Sequence, residues 1–172
     1  MRVPAARPDD RAARAYGVAV TRSLLVPSSY VFLLRDGADG GTEVLLHLRQ
    51  GTGYMDGHWA SLAGHVEAEE TAVAAAVREV REEAAVEIDP ADLQPLTAVH
   101  RVTPGAGQVE QRVDFFFAAR RWAGEPRVAE PAKNAGLDWF PLTALPSPVQ
   151  PQEAQVLAFL AAGSPPPAVL LA

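Results

Sequence analysis

Glu79, Glu82 and Glu83 fall within little more than one helical turn of each other, in the stretch REVREEAAV at residues 78–86. At about 100° per residue they span an arc of roughly 100° on a helix, so three carboxylates converge on one surface. Like charges one turn apart destabilise a helix by a few tenths of a kcal/mol, a cost that cations bound between them offset. Magnesium, which takes oxygen ligands and keeps several of its waters, is the natural candidate. Arg78 stands four residues before Glu82 and is placed to pair with it and orient it. The same face carries Ala72, Ala75 and Ala76 earlier in the helix, which leaves room for a substrate or a neighbouring loop. On these residues alone a solvated, salt-bridged helix face remains open beside the metal-binding one.

The elements that must position this cluster are legible around it. Val73, Val77, Val80 and Ala84 form a stripe at helical spacing and predict a helix over about 69–84, with Glu69, Glu70 and Thr71 suiting its N-terminus and Asp89-Pro90 marking its end region. Upstream, SSYVFLL (28–34) and TEVLLHLR (42–49) flank the turn sequence DGADGG and predict a hairpin. The glycine-rich run QGTGYMDGHWASLAGH (50–65) predicts a loop and a short strand. Downstream, strands are expected over 93–102, 111–122 and 136–142, and a closing helix over 151–163, stopped at Gly163. Strands separated by two helices fit a mixed β-sheet flanked by helices, an α/β class. Residues 1–22 read as an N-terminal extension, 23–163 as the domain and 164–172 as a C-terminal tail.

Composition narrows the chemistry. The chain has no cysteine, which excludes disulfides, thiolate metal sites and a cysteine nucleophile. A net charge of -6 disfavours a nucleic-acid polymer as partner but tolerates a small anion bound through a metal. No apolar run is long enough for a membrane span or a signal core, and Asp9 and Asp10 argue against reading the arginine-rich start as an organelle presequence. A soluble, cytoplasmic protein without membrane contact is the expectation, with oligomeric state left open.

The wider spacing resembles the signature of the Nudix hydrolases, G-x5-E-x7-R-E-U-x-E-E-x-G-U with U aliphatic. Gly64, Glu70, Arg78, Glu79, Val80, Glu82, Glu83 and Val86 match it. The glycine near its end is Ala85 here, which costs on the order of 1 kcal/mol if that residue must adopt a positive φ. RWAGEP (121–126), Glu130 and LDWFPLTALP (137–146) are similar to the continuation of MutT-type members, so the likeness extends over roughly residues 24–162.

The resemblance implies a Nudix-type α/β/α sandwich and magnesium- or manganese-dependent cleavage of a diphosphate linkage in a nucleoside diphosphate joined to another group. It implies Glu79, Glu82 and Glu83 as metal ligands, the Gly64 carbonyl as a further ligand, and Glu70 as a supporting carboxylate paired with Arg78. It also implies a carboxylate recruited from a distant loop as base or ligand, for which Glu130 is the choice and Glu110 the rival. Beside these, Arg49 is a candidate for a substrate phosphate, an ordinary surface arginine being the alternative. His58 and His65 read as structural or supporting residues. Trp59, Trp122, Trp139 and Phe115 to Phe117 read as core before any base-stacking role.

Within the family, Arg101 stands where ADP-ribose hydrolases commonly carry proline, and no tyrosine follows Tyr54, unlike dinucleoside polyphosphate hydrolases. Elimination and RWAGEP favour hydrolysis of a nucleoside triphosphate to monophosphate and pyrophosphate, with oxidised or non-standard nucleotides among the substrates. The alternatives are an ADP-ribose or nucleotide-sugar pyrophosphatase and a non-catalytic nucleotide-binding module. An isopentenyl diphosphate isomerase is disfavoured by the missing cysteine.

Overall fold

The computed structural model describes residues 24–103 and 110–171. The expected extension at 1–22 lies outside the described residues. In chain order the elements are β1 (Val26–Asp36), β2 (Thr42–Arg49), β3 (Trp59–Ala60), β4 (Leu62–His65), α1 (Ala72–Ala84), a 3-10 turn (Pro90–Asp92), β5 (Gln94–Val102), β6 (Gln111–Ala119), β7 (Asn134–Pro141), α2 (Pro151–Ala161) and β8 (Val169–Leu171).

An unbroken apolar run in β1, Tyr30 to Leu34, is buried on both faces, which explains why a layer forms on each side of the sheet. Tyr30, Phe32 and Leu34 point to one face with Val44, Leu46, Val99 and Phe116, where α2 contributes Val156 and Leu157. Val31 and Leu33 point to the other with Leu45, Leu62 and Phe117, where α1 contributes Ala76, Val80 and Ala84. The result is the expected mixed sheet between helices, ordered β3-β2-β1-β6-β5-β8, with β4 added to β1 and β7 to β2. Phe116 separates from Phe115 and Phe117 as the period of two requires.

One edge of β1 is shared. Ser28 to Val31 pair antiparallel with β4, whereas Leu34 to Asp36 pair antiparallel with β2, and β6 runs parallel along the opposite edge. The sheet therefore forks between β4 and β2, and residues of β1, β2 and β4 all line the cleft described below.

Two details differ from the sequence expectation. The glutamate helix starts at Ala72, because Thr71 is its N-cap and accepts from the Ala74 N–H at 3.1 Å, while Glu69 has φ 65° and belongs to the preceding turn. Val169–Leu171, expected within a tail, pairs parallel with β5 and inserts Leu170 into the α2-side core. A three-residue strand carries too little periodicity to be seen beforehand. Among the described residues no helix is long and apolar enough to cross a membrane.

Candidate active site

The residues named from spacing meet in one cleft of about 630 Å³. Glu79, Glu82, Glu83, Arg78, Gly64, Arg49, Glu110 and Glu130 all line it; Glu70 does not, and sits behind Arg78. The three helix carboxylates are graded in burial. Glu82 has 45% of its side chain exposed, Glu79 12%, and Glu83 is buried, with Oε2 accepting from the Ala63 N–H at 2.8 Å.

Arg78 is the hub of this wall. Its Nε and Nη2 donate to the two oxygens of Glu70 at 3.0 and 2.9 Å, Nη1 donates to Glu79 at 2.6 Å and Glu82 at 3.2 Å, and Nη2 also reaches the His65 carbonyl at 3.0 Å. Those contacts match the five N–H groups of a guanidinium. Glu70 is held below the usual carboxylate range chiefly by Arg78, so the pair is ionised on both sides.

Gly64 has a steric task. A Cβ on it would lie 1.9 Å from Glu79 Oε1 and 2.1 Å from its Cδ, so the Glu79 carboxylate rests directly against the bare backbone of β4. The alanines earlier in α1 do not open a substrate space: Ala75 and Ala76 are fully buried, and Ser29 of β1 donates to the Ala72 carbonyl at 2.7 Å. Their smallness lets the helix lie close on the sheet, which is the neighbouring-element outcome and not the ligand outcome.

Glu130 reaches the cluster because its segment is stitched to the end of α1. The Arg127 and Ala129 N–H groups donate to the carbonyls of Ala84 and Glu83 at 3.0 and 3.2 Å, capping the helix. On the other side, Gln50 donates its N–H to the Lys133 carbonyl at 2.9 Å and its side-chain amide to that of Pro131 at 2.8 Å. Burial pushes the Glu83 carboxyl up to about 8, with the charges of Glu79 and Glu130 adding to the shift. Glu79 is raised as well, first by burial. Glu110 shares the cleft, beside the segment 104–109 that lies outside the described residues.

Arg49 lines the cleft but is also an anchor for the glycine-rich loop, donating Nε to the Tyr54 carbonyl and Nη2 to Thr52 Oγ1, both at 3.1 Å. The tryptophans pack elsewhere: Trp59 meets Phe140 edge-on and Trp122 stacks on Trp139. Several cleft residues were not read from sequence. His47 is 2% exposed, both ring nitrogens lack a partner among the described residues, and burial lowers its pKa to about 4. Arg112 holds Ser28 at 2.6 Å and His65 at 3.2 Å, and Lys133 holds Glu130 at 2.8 Å. Each sits on an element far from the glutamates in sequence, so no spacing rule points to it.

The donor set fits a hard divalent cation. It consists of carboxylate oxygens, and crowding Glu83 with two further acids in a buried place is an arrangement that a cation relieves. Among the described residues no three such groups converge closely enough to hold one ion as they stand, since Arg78 draws Glu79 and Glu82 to itself.

Comparison with known proteins bears on the same region. The profile of the NUDIX domain matches residues 25–160. A MutT NUDIX hydrolase from Burkholderia pseudomallei is 27% identical, with a TM-score of 0.69 over 78% of this chain and 97% of that one. The NUDIX domain of Shewanella oneidensis NrtR, solved with ADP ribose, is 16% identical, with a TM-score of 0.65 over 90% of this chain and 97% of that one. RenU, a Nudix hydrolase from M. smegmatis, is 22% identical, with a TM-score of 0.60 over 83% and 89%. No curated protein matches the sequence significantly.

Proposed function

Given that the chain belongs to the Nudix family as a Nudix hydrolase acting on nucleoside diphosphate derivatives, we propose that it cleaves nucleoside triphosphates to monophosphate and pyrophosphate with magnesium or manganese. The observation that carries the reading is the approach of the Glu79 carboxylate to the bare backbone of Gly64, inside a cleft that Glu82, Glu83 and Glu130 also line. Such a cluster suits a polyphosphate, whose charge repels an attacking hydroxide until cations neutralise it.

Glu79, Glu82 and Glu83 are the residues to hold the metal, with the Gly64 carbonyl beside them. The bound metal supplies charge neutralisation and an activated water. Arg78, locked by Glu70, orients Glu79 and Glu82. Glu130 is favoured over Glu110 as the additional carboxylate, because its charge acts on both Glu79 and Glu83. Arg49 is assigned to a substrate phosphate alongside its anchoring of the loop. Oxidised or non-standard nucleotides fall within this substrate class, and the cytoplasm is the proposed compartment.

A magnesium-dependent assay across nucleoside triphosphates, nucleotide sugars and ADP-ribose tests the reading, with pyrophosphate distinguished from monophosphate as product. Pyrophosphate release from a triphosphate is expected, and Glu82→Gln slows it by about 100-fold or more without unfolding the chain. Preferred cleavage of ADP-ribose would replace the triphosphate assignment. Normal turnover by Glu82→Gln would overturn the ligand assignment.

A further inference from the structure

Lys133 is the chain's single lysine. Three arginines share its cleft, and each is tied to the fold by at least two hydrogen bonds: Arg78 as above, Arg49 to Tyr54 and Thr52, Arg112 to Ser28 and Asp114. Lys133 differs. Its ammonium makes a hydrogen bond to Glu130 Oε1, and 59% of its side chain is exposed. Its backbone is meanwhile fixed, the N–H donating to the Glu130 carbonyl at 3.0 Å and the carbonyl accepting from Gln50. A four-carbon stem on a pinned base is a cation free to change partner.

The present partner is weakly held. An exposed ion pair of this kind contributes at most about 1 kcal/mol. The ammonium lies in a negative field, since the hydrogen bond to Glu130 first, and then the charges of Glu130 and Glu79, favour its protonated form. A diphosphate placed at the glutamate wall presents more negative charge than one carboxylate and therefore competes for the same ammonium.

Resting on the diphosphate-cleaving reading, we propose that Lys133 alternates between two anions. In the free protein it neutralises Glu130; when substrate arrives it turns to the diphosphate, which leaves the Glu130 carboxylate to act at the glutamate cluster. Lys133 thus binds substrate and times the availability of Glu130.

A single lysine makes this directly observable. Reductive 13C-dimethylation keeps the charge and labels Lys133 beside only the amino terminus. In the free protein Glu130→Gln shifts the Lys133 resonance. Methylenediphosphonate with magnesium, a probe independent of the base, moves the wild-type resonance to the position that the Glu130→Gln protein also reaches. In steady-state kinetics Lys133→Met raises KM about tenfold, and Lys133→Arg recovers part of the loss. A panel substrate that is hydrolysed while the lysine signal ignores methylenediphosphonate and Lys133→Met keeps its KM would overturn the exchange and leave the family activity standing. Hydrolysis of no panel member would remove both.

Discussion

At the residue scale, the site depends on what Gly64 lacks. Its backbone has no positive φ that would exclude a side chain, and the nearest obstacle to alanine is the Glu79 carboxylate. Gly64→Ala is therefore expected to fold within about 1 kcal/mol of the parent, by displacing the end of a flexible side chain. On the proposed metal-holding role of Glu79, turnover should fall about 100-fold, because a carboxylate moved by an ångström no longer fits. Circular dichroism melting together with the pyrophosphate assay checks both halves, and a stable, fully active variant would refute the steric account. The pairing at this scale was legible: Glu70 and Arg78 are eight residues apart and form the expected pair. What spacing cannot supply is burial. The helix wheel puts Glu79, Glu82 and Glu83 on one arc without telling that Glu83 faces the Ala63 N–H while Glu82 faces solvent.

At the element scale, the end of α1 carries a known strain. Ala85 adopts φ 56° and ψ 35°, the left-handed region that favours glycine, while its N–H still closes on the Arg81 carbonyl. Ala85→Gly should stabilise the protein by about 1 kcal/mol, raising the melting temperature by roughly 2–4 °C. An unchanged or lower melting temperature would show that the segment 127–129, bound to the same helix end, has already absorbed the strain. Here sequence reading identified the odd residue and its consequence. It missed the helix start, because Glu69 and Glu70 look like first-turn acids when they in fact precede the cap. It also missed the last strand, whose signal is one buried Leu170 between two exposed residues.

At the scale of the whole molecule, three buried groups bear on the response to pH. His47, lowered to about 4, binds a proton more readily unfolded than folded, so between roughly pH 4 and 6.5 it makes stability rise with pH. Glu153 and Glu83, both raised to about 8 by burial, keep protons in the fold that the unfolded chain has lost above 4.5. Their contribution is complete below 4.5 and falls as pH climbs to 8, by about 1.4 kcal/mol per pH unit for each proton. The opposing terms partly cancel below 6.5, and the metal-free protein loses stability more steeply above it. Urea unfolding at pH 6.5 and 8 should show that decline, and Glu153→Gln should lessen its slope; an identical slope would remove Glu153 from the account. These groups come from β2, α1 and α2, so nothing local in the sequence marked them as one set.

The fork in the sheet has a consequence for how such a protein can diversify. β4, against which the glutamates of α1 rest, pairs with Ser28 to Val31 of β1, whereas β2, which bears His47 and Arg49, pairs with Leu34 to Asp36. On the proposed function, residues of β2 can thus be exchanged while β4 and the helix packed on it keep their alignment. Libraries randomised on β2 and its following loop should yield altered selectivity far more often than inactive scaffolds.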